Sequence, residues 1–377
     1  MLKLAILNDF LRDAPNGLDN CVANRRWLAA KTIVLGKGQY QVFEYGYDQT
    51  NEQHTDIAKY MDSLGLRCRQ ESWSTLWDSD PSDLFCELLS DNLTNPDCVV
   101  GFGLPNILVR AFDKLAIPFV DFEISPIRFL SDLHVDARTN MKALKESTLW
   151  EHPSEEIYHQ AASIAGWAAR QCPDSIPEHA GRVGVIFGQL AQDASLIYGN
   201  KMASFWDFKK ELKEWGNDLD HILFKPHPYD QHNVHLKHLA AIFPDLQQTN
   251  MNCYQLLGSL RIQKVLALSS SVLEEAHFFG YETKRLVMTP RRRTKEAYSL
   301  VSNLGLLSTD VLMPAIKDAR PLNCQADQTN LRDQFGINWA FPPTVVPSDF
   351  NSSTSLKISA QCSRAFSKAV NLFQKAA

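Results

Sequence analysis

GVIFGQLAQDASLIYG, residues 184–199, opens with a run of apolar β-formers, Val185, Ile186 and Phe187, that reads as a strand buried on both faces. The run breaks at Gly188. Within five residues it meets the amide of Gln189 and the lone carboxylate of Asp193. A carboxylate in the loop after a buried strand either caps the next helix or does chemistry.

Working outward, similar runs recur at Leu2–Leu7, Gln41–Tyr45, Cys98–Phe102, Ile117–Phe122, Arg182–Phe187, His221–Phe224, Lys264–Leu268 and Arg285–Met288, with amphipathic helical segments between them. Strands alternating with helices imply parallel sheets and an α/β fold. Two prolines and a glycine interrupt the chain at 171–181, after a helical run from Glu155 to Arg170. The expected architecture is therefore two Rossmann-like domains facing each other across a cleft, 1–176 and 177–345. A terminal segment, 346–377, with a helix expected over Ser355–Ala377, would pack back on the first domain. Ligands of such sheets bind at the carboxyl ends of the strands.

The composition agrees with two globular domains. The chain has 377 residues, 45% hydrophobic and 10% aromatic, and a formal charge of -5 that offers no overall basic field for nucleic acid. The N-terminal apolar run reaches Asn8 and Asp9 too soon for a secretory signal, and no run is long enough to span a bilayer, so a soluble cytoplasmic protein is expected. Eight scattered cysteines lack zinc-ligand spacing and read as reduced thiols.

Three strand ends in the second half carry unusual side chains. Besides the opening stretch, HILFKPHP at 221–228 ends a strand in a turn where two prolines hold Lys225 and His227 on a rigid loop. Lysine offers a point charge to phosphate, and histidine a hydrogen bond or a proton. VLALSSSVLEEA at 265–276 runs from a strand through Ser269, Ser270 and Ser271 into a helix. Such a start binds anions, and Ser271 with Glu274 also has capping-box spacing. Glu275 is either a solvated helix residue or within reach of a ribose. In the first half, IPFVDFEISPIR at 117–128 puts Asp121 and Glu123 on one strand face ahead of Arg128. This pattern suits acid–base work, and equally a solvated edge strand. None of these three strand-end stretches itself holds an Asp-x-Asp metal motif.

Gln189 to Ser195, the Lys225–Pro228 turn and the Ser269–Ser271 start leading to Glu275 and Gly280 together resemble the ordered motifs of bacterial retaining β-Kdo transferases. Glu123 and Arg128 fit that family's first domain more loosely. The likeness spans about residues 117 to 280. It implies a GT-B-like fold and transfer of β-Kdo from CMP-β-Kdo to a capsule or O-antigen glycan or glycolipid acceptor, without metal or other cofactor. Asp193 would be the nucleophile and Glu123 the base. Gln189, Lys225, His227 and Ser269, Ser270 and Ser271 would hold the CMP phosphate, with His227 also catalytic. Glu275 would lie near the ribose, and Arg128 and Ser195 would meet the sugar. Peripheral association with the inner face of the inner membrane, or fusion to further transferase domains, would suit that role. The Lys-Pro-His-Pro turn and serine start are shared with CDP-glycerol glycerophosphotransferases, and a non-catalytic polysaccharide-binding domain is the third reading.

Overall fold

A computed structural model describes residues 1–12, 15–46, 60, 62–66, 70–130, 133–145, 154–171, 176, 181–228, 230, 234–259, 261–289, 300–302 and 304–319. The terminal segment 346–377 and most of the interruption at 171–181 lie outside them.

In chain order the strands are β1 (Leu2–Leu7), β2 (Tyr40–Tyr45), β3 (Cys98–Phe102), β4 (Phe119–Ile124), β5 (Val135–Thr139), β6 (Val183–Phe187), β7 (Ile197–Tyr198), β8 (Lys201–Met202), β9 (His221–Lys225), β10 (Gln247–Gln248), β11 (Ile262–Ala267), β12 (Glu282–Arg285) and β13 (Leu300–Ser302). They build two Rossmann-like α/β sheets. The first has the order β13-β5-β4-β3-β1-β2 and the second β10-β9-β6-β11-β12, while β7 and β8 pair as a small ribbon. All pairings of the second sheet are parallel. Its centre is β6, buried at every residue, as its uninterrupted apolar run requires.

The first sheet departs from the all-parallel expectation. β5 runs antiparallel to β4, and β13 antiparallel to β5. β5 reads VDART and escapes an apolar scan because two of its buried residues are charged: Asp136, and Arg138, whose Nε lies 2.7 Å from Oδ2 of Asp121. β12 also starts earlier than the apolar run at 285–288. It is a mostly exposed edge strand, ETKR, and the apolar residues Leu286 and Val287 follow it, their amides reaching back to carbonyls at the end of β11.

The partition of the chain differs from the expected boundaries at two places. The helix Ser154–Gln171, expected with the first domain, packs on the second sheet. Its stripe of Ile157, Ala161, Ile164 and Ala165 shares one core with Val183, Val185, Ile262 and Val265. A Cβ on Gly258 would fall 2.3 Å from that of Ala168, so only glycine permits this approach. Residues 300–319, expected with the second domain, return to the first. β13 extends the first sheet, and Leu304, Leu307, Val311 and Leu312 bury against Leu4, Ile6 and Val120. Among the described residues, those of 1–145 with those of 300–319 form the first unit and those of 154–289 the second, with Ile127, Phe129 and Leu130 crossing into the second core. An apolar helix face must be buried, and the nearer uncovered sheet decides where.

Candidate active site

The order β9-β6-β11 sets the three polar strand ends side by side. Phe187 of β6 is in register with Lys225 on one flank and Ala267 on the other. The chain leaves β6 pressed onto the proline turn. The Gly188 amide donates to the Lys225 carbonyl at 2.8 Å, and a Cβ there would lie 3.0 Å from the Phe224 ring.

Gln189 is buried, and its amide ties two strand ends together. Oε1 accepts the Ser269 amide at 2.7 Å, and Nε2 donates to the hydroxyls of Ser269 at 3.0 Å and Ser195 at 3.1 Å. The Ser269 and Ser195 hydroxyls are themselves 2.9 Å apart. Ser269 is thus a buried joint whose amide is already used. Ser270 and Ser271 are half-buried beyond it. The expected capping box does not form: Ser271 has helical dihedrals and no cap bond, and Ser270 Oγ accepts the Val272 amide at 3.4 Å. Arg285, which sequence reading passed over, braces this turn from β12, donating to the Ser269 carbonyl at 2.7 Å and to Glu274 at 2.9 Å.

Asp193 is exposed and caps a short 3-10 turn, Ala194–Leu196, with Oδ1 accepting the Ser195 amide at 2.9 Å. A carboxylate has two oxygens, so a single cap bond leaves Oδ2 able to meet a ligand. The turn is steadied from the first unit, where Arg12 donates to the Gln192 carbonyl at 2.6 Å and lies over the Trp73 ring at 4.8 Å.

Lys225 is half-buried, and burial pulls its pKa down. Among the described residues no carboxylate pairs with it. Burial lowers the pKa of His227 too. Asp193 and Asp230 oppose that shift, while Arg128 and Lys225 reinforce it. The ring is therefore biased toward its neutral form, able to donate one N–H to an anion or to accept a proton.

Arg128 comes from the first unit, its main-chain amide donating to Oε1 of Glu275 at 2.8 Å, and its charge acts on His227. Glu275 does not reach out toward a ribose. It is 3% exposed, and the same oxygen also accepts the Tyr254 hydroxyl at 2.9 Å. The two first-unit carboxylates part company as well. Asp121 is fully buried, held by Arg138 and by the Leu104 amide at 3.0 Å, whereas Glu123 is exposed near the end of β4.

A further acid, Asp9, stands just past β1. Burial raises its pKa to about 6 against the opposing hydrogen bond from Trp73 Nε1 at 2.8 Å. The polar pair Asn8–Asp9 directly after an apolar run was its only sequence signal. Among the described residues no cluster of His, Cys, Asp and Glu is arranged to hold a metal, and no helix is long and apolar enough to cross a membrane.

No family model and no curated protein matches the chain. Several solved structures resemble it. The β-Kdo 2,7 transferase of Thermosulfurimonas dismutans KpsC is 15% identical over 63% of this chain and 89% of its own, at a TM-score of 0.36. The β-Kdo 2,4 transferase of the same protein is 13% identical over 84% and 97%, at 0.35. UDP-GlcNAc 2-epimerase from Neisseria meningitidis is 12% identical over 78% and 85%, at 0.29. Likeness this distant speaks to neither substrate nor mechanism, which rest on the side chains themselves.

Proposed function

We propose that the chain is a metal-independent retaining glycosyltransferase that moves β-Kdo from CMP-β-Kdo to a bacterial surface glycan. The observation that carries the reading is Lys225, a half-buried cation without a carboxylate partner among the described residues, set beside His227 at the same sheet edge as Asp193. A buried charge left uncompensated is costly, and an anionic ligand repays that cost. Lys225, the neutral His227 ring and the amides of Ser270 and Ser271 would hold the CMP phosphate.

Asp193 would attack the anomeric carbon as its bond to the phosphate oxygen breaks, the electron pair leaving with CMP. The acceptor hydroxyl, giving its proton to Glu123, would then displace Asp193 with net retention. Arg128 would meet the sugar carboxylate.

The test supplies CTP, Kdo and a CMP-Kdo synthetase, omits acceptor, and weighs the intact protein. One added Kdo, mapped to residue 193 and absent in Asp193→Asn, is the expected result. No adduct, with transfer retained by Asp193→Asn, overturns the reading. CMP affinity should be equal with and without EDTA.

A glycerophosphotransferase using His227 as base is favoured instead by one observation, the cap bond that Asp193 makes to Ser195. That enzyme would keep its activity in Asp193→Asn and turn over CDP-glycerol.

A further inference from the structure

The loop Ser125–Leu130 leaves β4 in the first unit, yet Ile127, Phe129 and Leu130 lie in the core of the second. Phe129 meets Phe279 edge-on at 5.6 Å and Tyr254 at 6.3 Å. The Arg128 amide and the Tyr254 hydroxyl converge on one oxygen of Glu275, at 2.8 and 2.9 Å. Tyr254 is 1% exposed. Burial and the neighbouring Glu275 keep its hydroxyl protonated, so it stays a donor.

A carboxylate buried this deeply and bonded to a main-chain amide 147 residues away determines where that residue sits. Held there, Arg128 carries a charge that opposes protonation of His227. We propose that Glu275 and Tyr254 are positioning residues that dock Arg128 on the second unit within electrostatic reach of His227, making a first-unit arginine a standing member of the second unit's anion site. Only the identity of the anion, a phosphate or sugar carboxylate of the donor, rests on the function proposed above.

The docking can be read without any ligand, from the ring titration of His227 by NMR in the full chain. Arg128→Ala should raise the His227 pKa, and Glu275→Ala should raise it equally, with no further rise in the double variant. Glu275→Gln, whose amide oxygen still accepts both bonds, should titrate like wild type. Asp193, Asp230 and Lys225, the other charges that face the ring, are untouched by these substitutions. Tyr254→Phe keeps the ring in the core and removes one bond, so a smaller shift in the same direction is expected even if Glu275→Ala does not fold. An unmoved His227 in Tyr254→Phe and in folded Glu275→Ala, or additive effects in the double variant, would overturn the proposal.

Calorimetry with CMP separates this role from a ribose contact. Glu275→Ala should weaken CMP on the order of tenfold if Arg128 grips the phosphate, and not at all in an Arg128→Ala background. CMP binding unchanged in both single variants, with a raised KM for CMP-Kdo, would place the grip on the sugar carboxylate and still support the docking. A loss that persists in the double variant would make Glu275 a nucleotide ligand and sink the positioning role. If wild type binds neither CMP nor CMP-Kdo, the donor reading fails while the His227 titration still decides the docking.

Discussion

The carboxyl edges of the two sheets handle buried charge in opposite ways. At the first, Arg138 is 2% exposed and bonded through all three guanidinium nitrogens: it pairs with Asp121 at 2.7 Å, donates to Asn106 at 2.5 Å and bonds the Leu104 carbonyl. At the second, Lys225 is half-buried with no such partner among the described residues, and His227 is pressed toward neutrality. A closed network stabilises and specifies a fold. An edge with unspent cationic capacity is where a ligand's negative charge would lower the energy.

Breaking the closed network should produce the largest effect. Asp121→Ala leaves the Arg138 guanidinium buried without its counter-ion, and a loss of about 3–5 kcal/mol is expected in the free energy of denaturant unfolding. Lys225→Met at the other edge should change ligand-free stability by less than about 1 kcal/mol, or raise it, because it removes a desolvated charge. Equal costs at the two sites would erase the contrast.

Asp9 gives the next effect, through pH. Its pKa is raised to about 6 in the folded chain and is about 4 in the unfolded one. Between those values the folded state holds the extra proton, so this acid stabilises fully below about pH 4, and its contribution is lost as pH rises through 6. The integrated change is about 3 kcal/mol. Asp9→Asn should flatten the stability profile between pH 4 and 6 relative to wild type. A parallel profile would mean that Asp9 titrates normally.

Much of this was legible in the chain. β6, β9 and β11 announced themselves as apolar runs closed by glycine, proline or serine, and their polar ends named the second edge. Hydrophobic pattern could not announce β5, because its buried charges make sense only once Asp121 is seen opposite Arg138. Nor could it assign the helix Ser154–Gln171, since an apolar stripe states that a face is buried and not against which sheet. Glu274 and Glu275 look alike in sequence. Only the fold sends one to Arg285 and the other to an amide 147 residues away.

At the second edge, Lys225→Met should weaken CMP by about 1.5–3 kcal/mol, the worth of a charge-assisted hydrogen bond. Paired with its small stability effect, this would mark Lys225 as held for a ligand and not for the fold. Calorimetry showing unchanged CMP affinity would leave that edge as an ordinary solvated rim.

The smallest stability effect belongs to Asp193→Asn, at a position where cap and chemistry can be pulled apart. Its Oδ1 accepts the Ser195 amide, a bond an asparagine carbonyl oxygen makes equally well. Asp193→Asn should therefore unfold at the wild-type denaturant concentration, while Asp193→Ala, which loses the bond, should cost about 0.5–2 kcal/mol. A cap role predicts that transfer follows this order, with Asn near wild type and Ala impaired. A nucleophile role predicts that both variants lose transfer, because a neutral amide cannot form and release the glycosyl ester. Transfer measured beside unfolding in the same three proteins separates the roles. Activity that tracks stability across them would return Asp193 to the fold and leave the second edge an anion site without its proposed nucleophile.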